Sequence, residues 1–402
     1  MQTVSLAEIK NARVVLENTV RKTDVINGSV NDLCDCSVYL KLENLQRTGA
    51  FKVRGAYNKI YSLTPEQRGK GVIASSAGNH AQGVALAASI FDIKSTIVMP
   101  ETAPLSKITA TQKYGGDVIL HGSVYDDCYV KAVEIQNATG GIFIHPFDDP
   151  HIIAGQGTIA LEVLEQIPDA DVIIAPVGGG GLISGIALAA KSINPKIKII
   201  AVESSNAPSM KKSVEENKPT SLKSAATIAD GIAVKTPGTL TYKIVSQYVD
   251  EFITVDEDEI AKAILMLLER FKLVSEGAGA VSFAAVLSGK VKMPGKKVVA
   301  IISGGNIDVN VLSRIVDKGL AKAGRKTELT TTILDKPGRL QNMLKVISDM
   351  GANIVEVYHN RISMEAELGC ARVDLVLETQ DNKHLEELLA ELHSKGYKVD
   401  RL

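Results

Sequence analysis

Residues 171–193, DVIIAPVGGGGLISGIALAAKSI, decide how the rest of the chain is read. An apolar Val/Ile run ends in four consecutive glycines, and a segment of helical spacing follows at once. A run without polar alternation suits a parallel strand buried on both faces. A tight strand-to-helix turn needs one or two glycines. Four let successive backbone N–H groups converge on one point, and the helix opening there adds the positive end of its dipole. That combination suits a phosphate. No Gly-Lys-Ser/Thr follows, so this is not a Walker loop, nor is it G-x-G-x-x-G with an acidic residue at dinucleotide-binding distance.

The same rhythm runs outward from this stretch. GVIASS (71–76) precedes NHAQGVALAASIF (79–91), and STIVMP (95–100) precedes PLSKITATQKYG (104–115), whose Pro104 suits a helix first turn. DVILHG (117–122) precedes YDDCYVKAVEIQNATG (125–140), with Gly140 as a C-terminal stop. KIIAVES (198–204), KKVVAIISGGN (296–306) and a closing helix, DVNVLSRIVDKGLAKAG (308–324), complete the pattern. The fold class is α/β, with open parallel sheets covered by helices.

Composition changes at AGRKTELT (323–330). Beyond it TTTILD (330–335) reads as a strand, GRLQNMLKVISDMG (338–351) as a helix, and NIVEVYHN (353–360) with ARVDLVLET (371–379) as paired strands. KHLEELLAELHSKG (383–396) reads as a second helix and YKV (397–399) as a last strand. The order βαββαβ is that of a ferredoxin-like module.

At 402 residues the chain is long enough for two or three domains, and 45% hydrophobic residues exclude a disordered or fibrous protein. Lys plus Arg at 45 against Asp plus Glu at 46 leaves no electrostatic footprint for nucleic acid or an anionic membrane. Aromatics at 4% and no Trp offer no stacking platform for bases, so the expected partner is a small molecule. Cys34 and Cys36 form C-x-C, not a redox C-x-x-C, and with Cys128 and Cys370 read as reduced thiols of a cytoplasmic protein. The N-terminal MQTVSLAEIKNARVV is not a signal peptide, and no segment reaches the roughly 20 apolar residues of a membrane span. The seven histidines include no H-x-x-x-H pair, so zinc is not expected.

Three further stretches carry candidate chemistry. In RTGAFKVRGA (47–56), Lys52 lies between Phe51 and Val53, an apolar setting that lowers a lysine pKa; alone, it also reads as a solvated surface charge. SSAGNHAQG (75–83) runs from a strand end into a helix start, which suits a carboxylate or is an ordinary helix start. In IISGGN (301–306), Ser303 follows a buried strand and could equally cap the next helix.

Together, TGAFKVRGA, SSAGNHAQG, GGGGL and SGGN resemble, in order, the lysine, substrate-carboxylate, phosphate and pyridine-nitrogen motifs of the fold-type II family of pyridoxal-phosphate (PLP) enzymes. Within that family the chain is most similar to the threonine dehydratases, and TILDKPGRLQNML…GANIVEV (332–357) resembles the start of an ACT domain, an amino-acid-sensing module. The resemblance implies two open twisted sheets: a large PLP-binding domain from 1–44 and 151–325, a small mobile domain from 45–150, and an ACT domain from 326–402. It implies that Lys52 forms the Schiff base with PLP, that Phe51 lies against the ring, and that Asn79 bonds its 3-hydroxyl oxygen. Gly178, Gly179, Gly180, Gly181 and Leu182 supply N–H donors to the phosphate, and Ser303 faces the pyridine nitrogen. Ser76, Ala77, Gly78 and His80 line the substrate carboxylate site, with Gly231 and Glu276 at the cofactor's rim.

The implied reaction is β-elimination: the freed Lys52 amine removes the α-proton of L-threonine, or of L-serine, and the β-hydroxyl leaves as water. The released enamine hydrolyses to 2-oxobutanoate and ammonia. Two departures from the family pattern stand out. Ala50 replaces the usual serine of Ser-Phe-Lys, and Ala77 occupies the place where related racemases carry a second acid/base serine, which disfavours racemisation. AVESSNAPS (201–209) resembles the family's cation loop, with Glu203 and the Ala207 carbonyl as ligands; by itself Glu203 also reads as a surface-loop glutamate. Ser209 stands where divalent-binding members carry an acid, which suits a monovalent cation. By the same resemblance Asp335, Pro337, Gly338, Arg339 and Leu340 form an effector site for a branched-chain amino acid, with isoleucine the expected one. GANIVEV (351–357) would then pair across the boundary of a homodimer or homotetramer. Competing readings are a serine dehydratase or β-replacement enzyme of the same fold, and a non-catalytic amino-acid sensor.

Overall fold

The computed structural model describes residues 4–28, 34–362 and 367–402. In chain order the strands are β1 (Val25–Asn27), β2 (Ser37–Leu42), β3 (Val72–Ser75), β4 (Ser95–Met99), β5 (Asp117–Leu120), β6 (Ile142–Phe143) and β7 (Val172–Pro176). Then follow β8 (Lys198–Ser204), β9 (Glu251–Val255), β10 (Lys297–Ile302), β11 (Lys326–Leu334), β12 (Asn353–Asn360), β13 (Cys370–Glu378) and β14 (Val399–Arg401). The chain divides into two units, Met1–Asp308 and Val309–Leu402.

The first unit holds two sheets. One has six strands in the order β1-β2-β10-β7-β8-β9, the other four in the order β5-β4-β3-β6. Both are parallel, as the Val/Ile runs predict, except that the short edge strand β1 pairs antiparallel with β2. Every residue of β3 and of β7 is buried, because helices cover both faces. One core lies around the six-stranded sheet and includes Ile153, Ile173, Ile186 and Ile301. A second lies around the four-stranded sheet and includes Tyr57, Val72, Val84 and Ile97. β7 and β10 are neighbours, so the loops that follow them emerge side by side at the carboxyl edge, where open α/β sheets place their ligands.

The second unit is the expected βαββαβ module, antiparallel throughout in the order β12-β13-β11-β14. Burial alternates along β11 and β13, and one sheet face packs on helices Arg339–Asp349 and Asn382–Ser394 through Leu329, Met343, Ile347, Leu375 and Leu388. Boundaries moved. β11 begins at Lys326, four residues before the predicted 330, because Thr327 and Leu329 join its buried face; β14 lies at 399–401, past the predicted 397–399. Helix Val309–Lys322 groups with this unit, whereas the sequence reading closed the α/β body with it and set the boundary at 325/326. No described helix is long and apolar enough to cross a membrane.

Candidate active site

Helix Lys52–Tyr61 begins on Lys52 itself. The preceding segment is laced to the loop after β10: Phe51 N–H donates to the Ser303 carbonyl at 3.2 Å, and Gly305 N–H donates to the Gly49 carbonyl at 2.8 Å. Main-chain bonds thus bring the lysine and serine motifs together across 250 residues of sequence. Lys52 Nζ donates to the Pro146 carbonyl at 2.9 Å and sits 5.3 Å from the Phe51 ring centroid. Burial is the larger influence on this amine, with Glu276 opposing it, and the result is a pKa lowered from 10.5 to about 8. About one in ten such amines is neutral at pH 7, against about one in three thousand at an ordinary lysine. That amine is a nucleophile and a base.

The tetraglycine loop lies against Phe147. A Cβ on Gly179 would fall 2.2 Å from the Phe147 ring, and one on Gly181 would fall 2.9 Å from its Cα. Gly180 has φ +94°, a backbone conformation that excludes most side chains. The Gly179 carbonyl is turned away, accepting from Thr241 Oγ1 at 2.6 Å and Gly238 N–H at 3.3 Å. Helix Gly181–Ile193 starts without a side-chain cap, so the N–H groups through Leu182 are left for an anion. Gly178 packs against Ile232, which brings the Asp230–Ile232 turn and Gly231 to the loop.

Asn79 and Glu276 are bonded directly, and Asn306, a residue the sequence reading did not single out, joins them. Asn79 Nδ2 donates to Glu276 Oε1 at 2.6 Å, while Asn306 Nδ2 donates to Asn79 Oδ1 at 2.8 Å and to the Thr48 carbonyl at 2.7 Å. Asn306 therefore fixes which way the Asn79 amide points. Burial, aided by Asp230, raises the Glu276 carboxyl to about 7. Ser303 is buried, and its hydroxyl donates to the Ala278 carbonyl at 3.3 Å.

Ser76, Ala77 and Gly78 form the turn into helix Asn79–Ile90, which also lacks a side-chain cap; Gly78 N–H donates to Ser76 Oγ at 3.2 Å. The His80 ring is committed elsewhere. Its Nε2–H donates to the Ile144 carbonyl at 2.8 Å, and burial, then the Lys52 charge, lowers its pKa to about 3. A neutral, buried imidazole leaves only the main chain of His80 for a carboxylate.

Sequence reading also missed the strap His145–Asp149. Asp148 and Asp149 cap two different helices, Thr239–Tyr248 and Pro150–Gln166, while Phe147 and Pro146 serve the site between them. Asp149 before Pro150 was a legible helix-start signal.

The cation and effector residues are differently placed. Glu203 Oε1 and Oε2 accept from the N–H groups of Met210 and Lys211, each at 2.8 Å, so this buried carboxylate caps a helix start. Ala207 is buried beside it, and no cluster of metal-ligating side chains occurs among the described residues. In the second unit Arg361 Nε donates to Asp335 Oδ2 at 2.9 Å. After Pro337, Gly338 at φ +84° opens helix Arg339–Asp349, with Leu340 in its first turn, without a side-chain cap. Cys34, Cys36, Cys128 and Cys370 are free thiols.

A phosphate-bearing aldehyde fits these residues. The glycine loop leaves no room for a Cβ, its donors are uncapped, and Lys52 is an amine made nucleophilic by burial. The family model described as pyridoxal-phosphate dependent enzyme matches residues 18–304. An L-threonine ammonia-lyase of Thermotoga maritima is 53% identical over 98% of this chain and 99% of its own. Threonine deaminase isoform 2 of Solanum lycopersicum superposes with a TM-score of 0.73 at 36% identity, over 79% of this chain and 90% of that one. Maize serine racemase superposes with a TM-score of 0.75 at 39% identity, over 80% and 99%. The chain belongs to the family of pyridoxal-phosphate-dependent enzymes, and its cofactor is pyridoxal phosphate.

Proposed function

We propose that the chain dehydrates and deaminates L-threonine to 2-oxobutanoate and ammonia, and acts on L-serine in the same way. The observation that carries this reading is the buried Lys52 amine on the Pro146 carbonyl, one residue from the Phe147 ring that lies against the uncapped glycine loop. When bound, pyridoxal phosphate supplies the electron sink that makes an α-proton removable. Gly178 to Leu182 hold the phosphate through main-chain N–H groups, Lys52 attaches the cofactor, Phe51 packs against it, and Asn79 with Gly231 and Glu276 frames it. The main chain of Ser76 to His80 holds the substrate carboxylate. Lys52 then removes the α-proton, and its N–H bond to the Pro146 carbonyl orients the amine. Ser303 presents a neutral hydroxyl where a carboxylate would keep a proton, which favours prompt loss of the β-hydroxyl.

The segment 45–150 acts as the small domain that closes over the substrate, against a large domain of 1–44 and 151–325. The ion pair Lys107–Asp230, at 2.6 Å, ties helix Leu105–Lys113 to the turn beside Gly231 and supports that reading. Residues 326–402 serve as an ACT domain that binds isoleucine, opposed by valine, at Asp335 and the uncapped start of helix Arg339–Asp349. The exposed edge strand β12, with Val355 and Tyr358 facing solvent, pairs with a second copy in a homodimer or homotetramer. The enzyme works in the cytoplasm with reduced thiols. A monovalent cation at Glu203 and Ala207 would have to share a carboxylate already used as a cap.

Keto-acid release from L-threonine and L-serine, followed alongside cysteine and acetate formation from O-acetylserine with sulfide, tests the reaction. Turnover of the third substrate alone would make it a β-replacement enzyme, and no turnover of any would leave a sensor. Chiral analysis of recovered substrate should show no inversion, because Ala77 offers no proton donor. Truncation near Gly324 should leave turnover and remove any response to isoleucine and valine; an unchanged response would refute the sensing role.

A further inference from the structure

Four charged side chains are buried together behind Lys52. Lys41 is the last residue but one of β2, Glu43 follows the strand, Arg54 lies in the first turn of the Lys52 helix, and Glu162 lies on helix Pro150–Gln166; their side chains are between 0% and 8% exposed. Arg54 Nε and Nη2 donate to Glu43 Oε2 and Oε1, both at 2.8 Å, in a two-point fork. Arg54 Nη1 and Nη2 also donate to Glu162 Oε1 and Oε2 at 2.6 and 3.0 Å, and Lys41 Nζ donates to Glu162 Oε2 at 2.6 Å. Thr23 Oγ1 completes Glu43 at 2.6 Å, and Thr158 Oγ1 accepts from Arg54 Nη1 at 3.2 Å. Two positive and two negative charges cancel, and each has several partners.

Burying such a set is costly unless geometry is tightly kept, and removing one member strands the others. The same two helices touch backbone to backbone, since a Cβ on Gly155 would fall 2.7 Å from the Arg54 carbonyl. Gln156 Oε1 accepts from Gly55 N–H at 3.2 Å, Asn58 Nδ2 donates to the His151 carbonyl at 2.8 Å, and Lys59 pairs with Asp149 at 2.6 Å. Helix Pro150–Gln166 belongs to the core of the six-stranded sheet, while the opposite face of the Lys52 helix packs on the four-stranded sheet through Ala56, Tyr57 and Ile60. The polar ties all run to one side.

We propose that the Glu43–Arg54–Glu162–Lys41 network is a positioning device that fixes the Lys52 helix to the six-stranded body, so that within the segment 45–150 only the part beyond Tyr61 moves and the reactive amine keeps its place. Arg54 is a positioning residue that acts through Lys52, two residues away. The inference rests on the reading of Lys52 as the reactive amine.

The test uses the full-length holoenzyme. Borohydride labelling of the wild type comes first: label on a residue other than Lys52 overturns the underlying reading, not the network alone. Two variants then probe the network. Arg54→Lys keeps the charge and loses the fork, and Lys41→Met/Glu162→Gln removes one charge of each sign while leaving the Arg54–Glu43 fork. Both should bind cofactor and show kcat reduced about tenfold to a hundredfold, with KM within about twofold, as expected of a misplaced catalytic amine. The cofactor absorbance of each should also titrate at a different pH from the wild type. Wild-type kcat and titration accompanied only by a lower melting temperature would overturn the proposal in favour of a purely structural role. So would failure of both variants to fold at 25 °C.

Discussion

Two kinds of helix start occur in the first unit, and they differ in what meets their free N–H groups. Helix Pro150–Gln166 is capped by Asp149, which accepts from His151 and Ile152 at 2.8 and 3.2 Å. Helix Thr239–Tyr248 is capped by Asp148, which accepts from Thr239, Leu240 and Thr241 at 3.0, 2.9 and 3.1 Å. Helices Asn79–Ile90 and Gly181–Ile193 have glycine at the N-cap and no side-chain cap. A cap is worth about 1 kcal/mol, so leaving a start open has a stability cost that a bound anion would offset. The two glycine-opened starts are the tetraglycine loop and the turn after Ser76, and no acidic side chain caps their N–H groups.

The largest effect breaks the site and leaves this contrast untouched. Lys52→Ala should lower keto-acid formation at least about a thousandfold while both uncapped loops keep their shape. Residual turnover near wild type would remove Lys52 from the chemistry. In the wild type, cofactor uptake by stripped protein should rise with pH and level off above about 8. The sign follows from the lowered lysine: the neutral amine is the reactive form, and it gains population as pH climbs through that value. Uptake that fell across this range would contradict the assignment.

Converting an open start into a capped one attacks the contrast directly. Gly179→Asp adds a negative charge to the phosphate loop and drives a Cβ into Phe147, so cofactor occupancy measured by absorbance should collapse. Full occupancy would place the phosphate elsewhere. Gly78→Asp is gentler, because a Cβ there meets nothing within 4 Å. It should stabilise helix Asn79–Ile90 by a few tenths of a kcal/mol and raise KM for threonine roughly tenfold, since its carboxylate competes for the same donors. A KM equal to wild type would mean that the substrate carboxylate is held by other groups.

What the sequence made legible follows the same division. Val/Ile runs such as 172–176 announce buried parallel strands, and four adjacent glycines announce an anion site, because both signals are local. Thr327 hid the true start of β11, since threonine is read as a surface residue until the opposite face is known. Asn306 lay inside a motif already singled out, yet its amide acts on Asn79, 227 residues away. Glu43, Arg54 and Glu162 carry no local signal of burial. Arg54 and Glu162 are 108 residues apart in sequence, and only the packing of two helices shows that they neutralise each other.

The smallest effect lies in the second unit, where the contrast recurs on two helices of one module. Asp381 caps helix Asn382–Ser394, accepting from His384 N–H at 2.8 Å, whereas Gly338 leaves helix Arg339–Asp349 open. If openness marks a ligand end, the capped helix is structural only. Asp381→Ala should then lower the unfolding free energy by about 1 kcal/mol, read by urea or thermal denaturation. Turnover and any response to isoleucine should stay at wild-type values, because the lost bond lies at a helix start that already had its partner. An altered effector response at unchanged stability would invert the assignment: the capped start, not the open one at Gly338, would be the end that senses ligand.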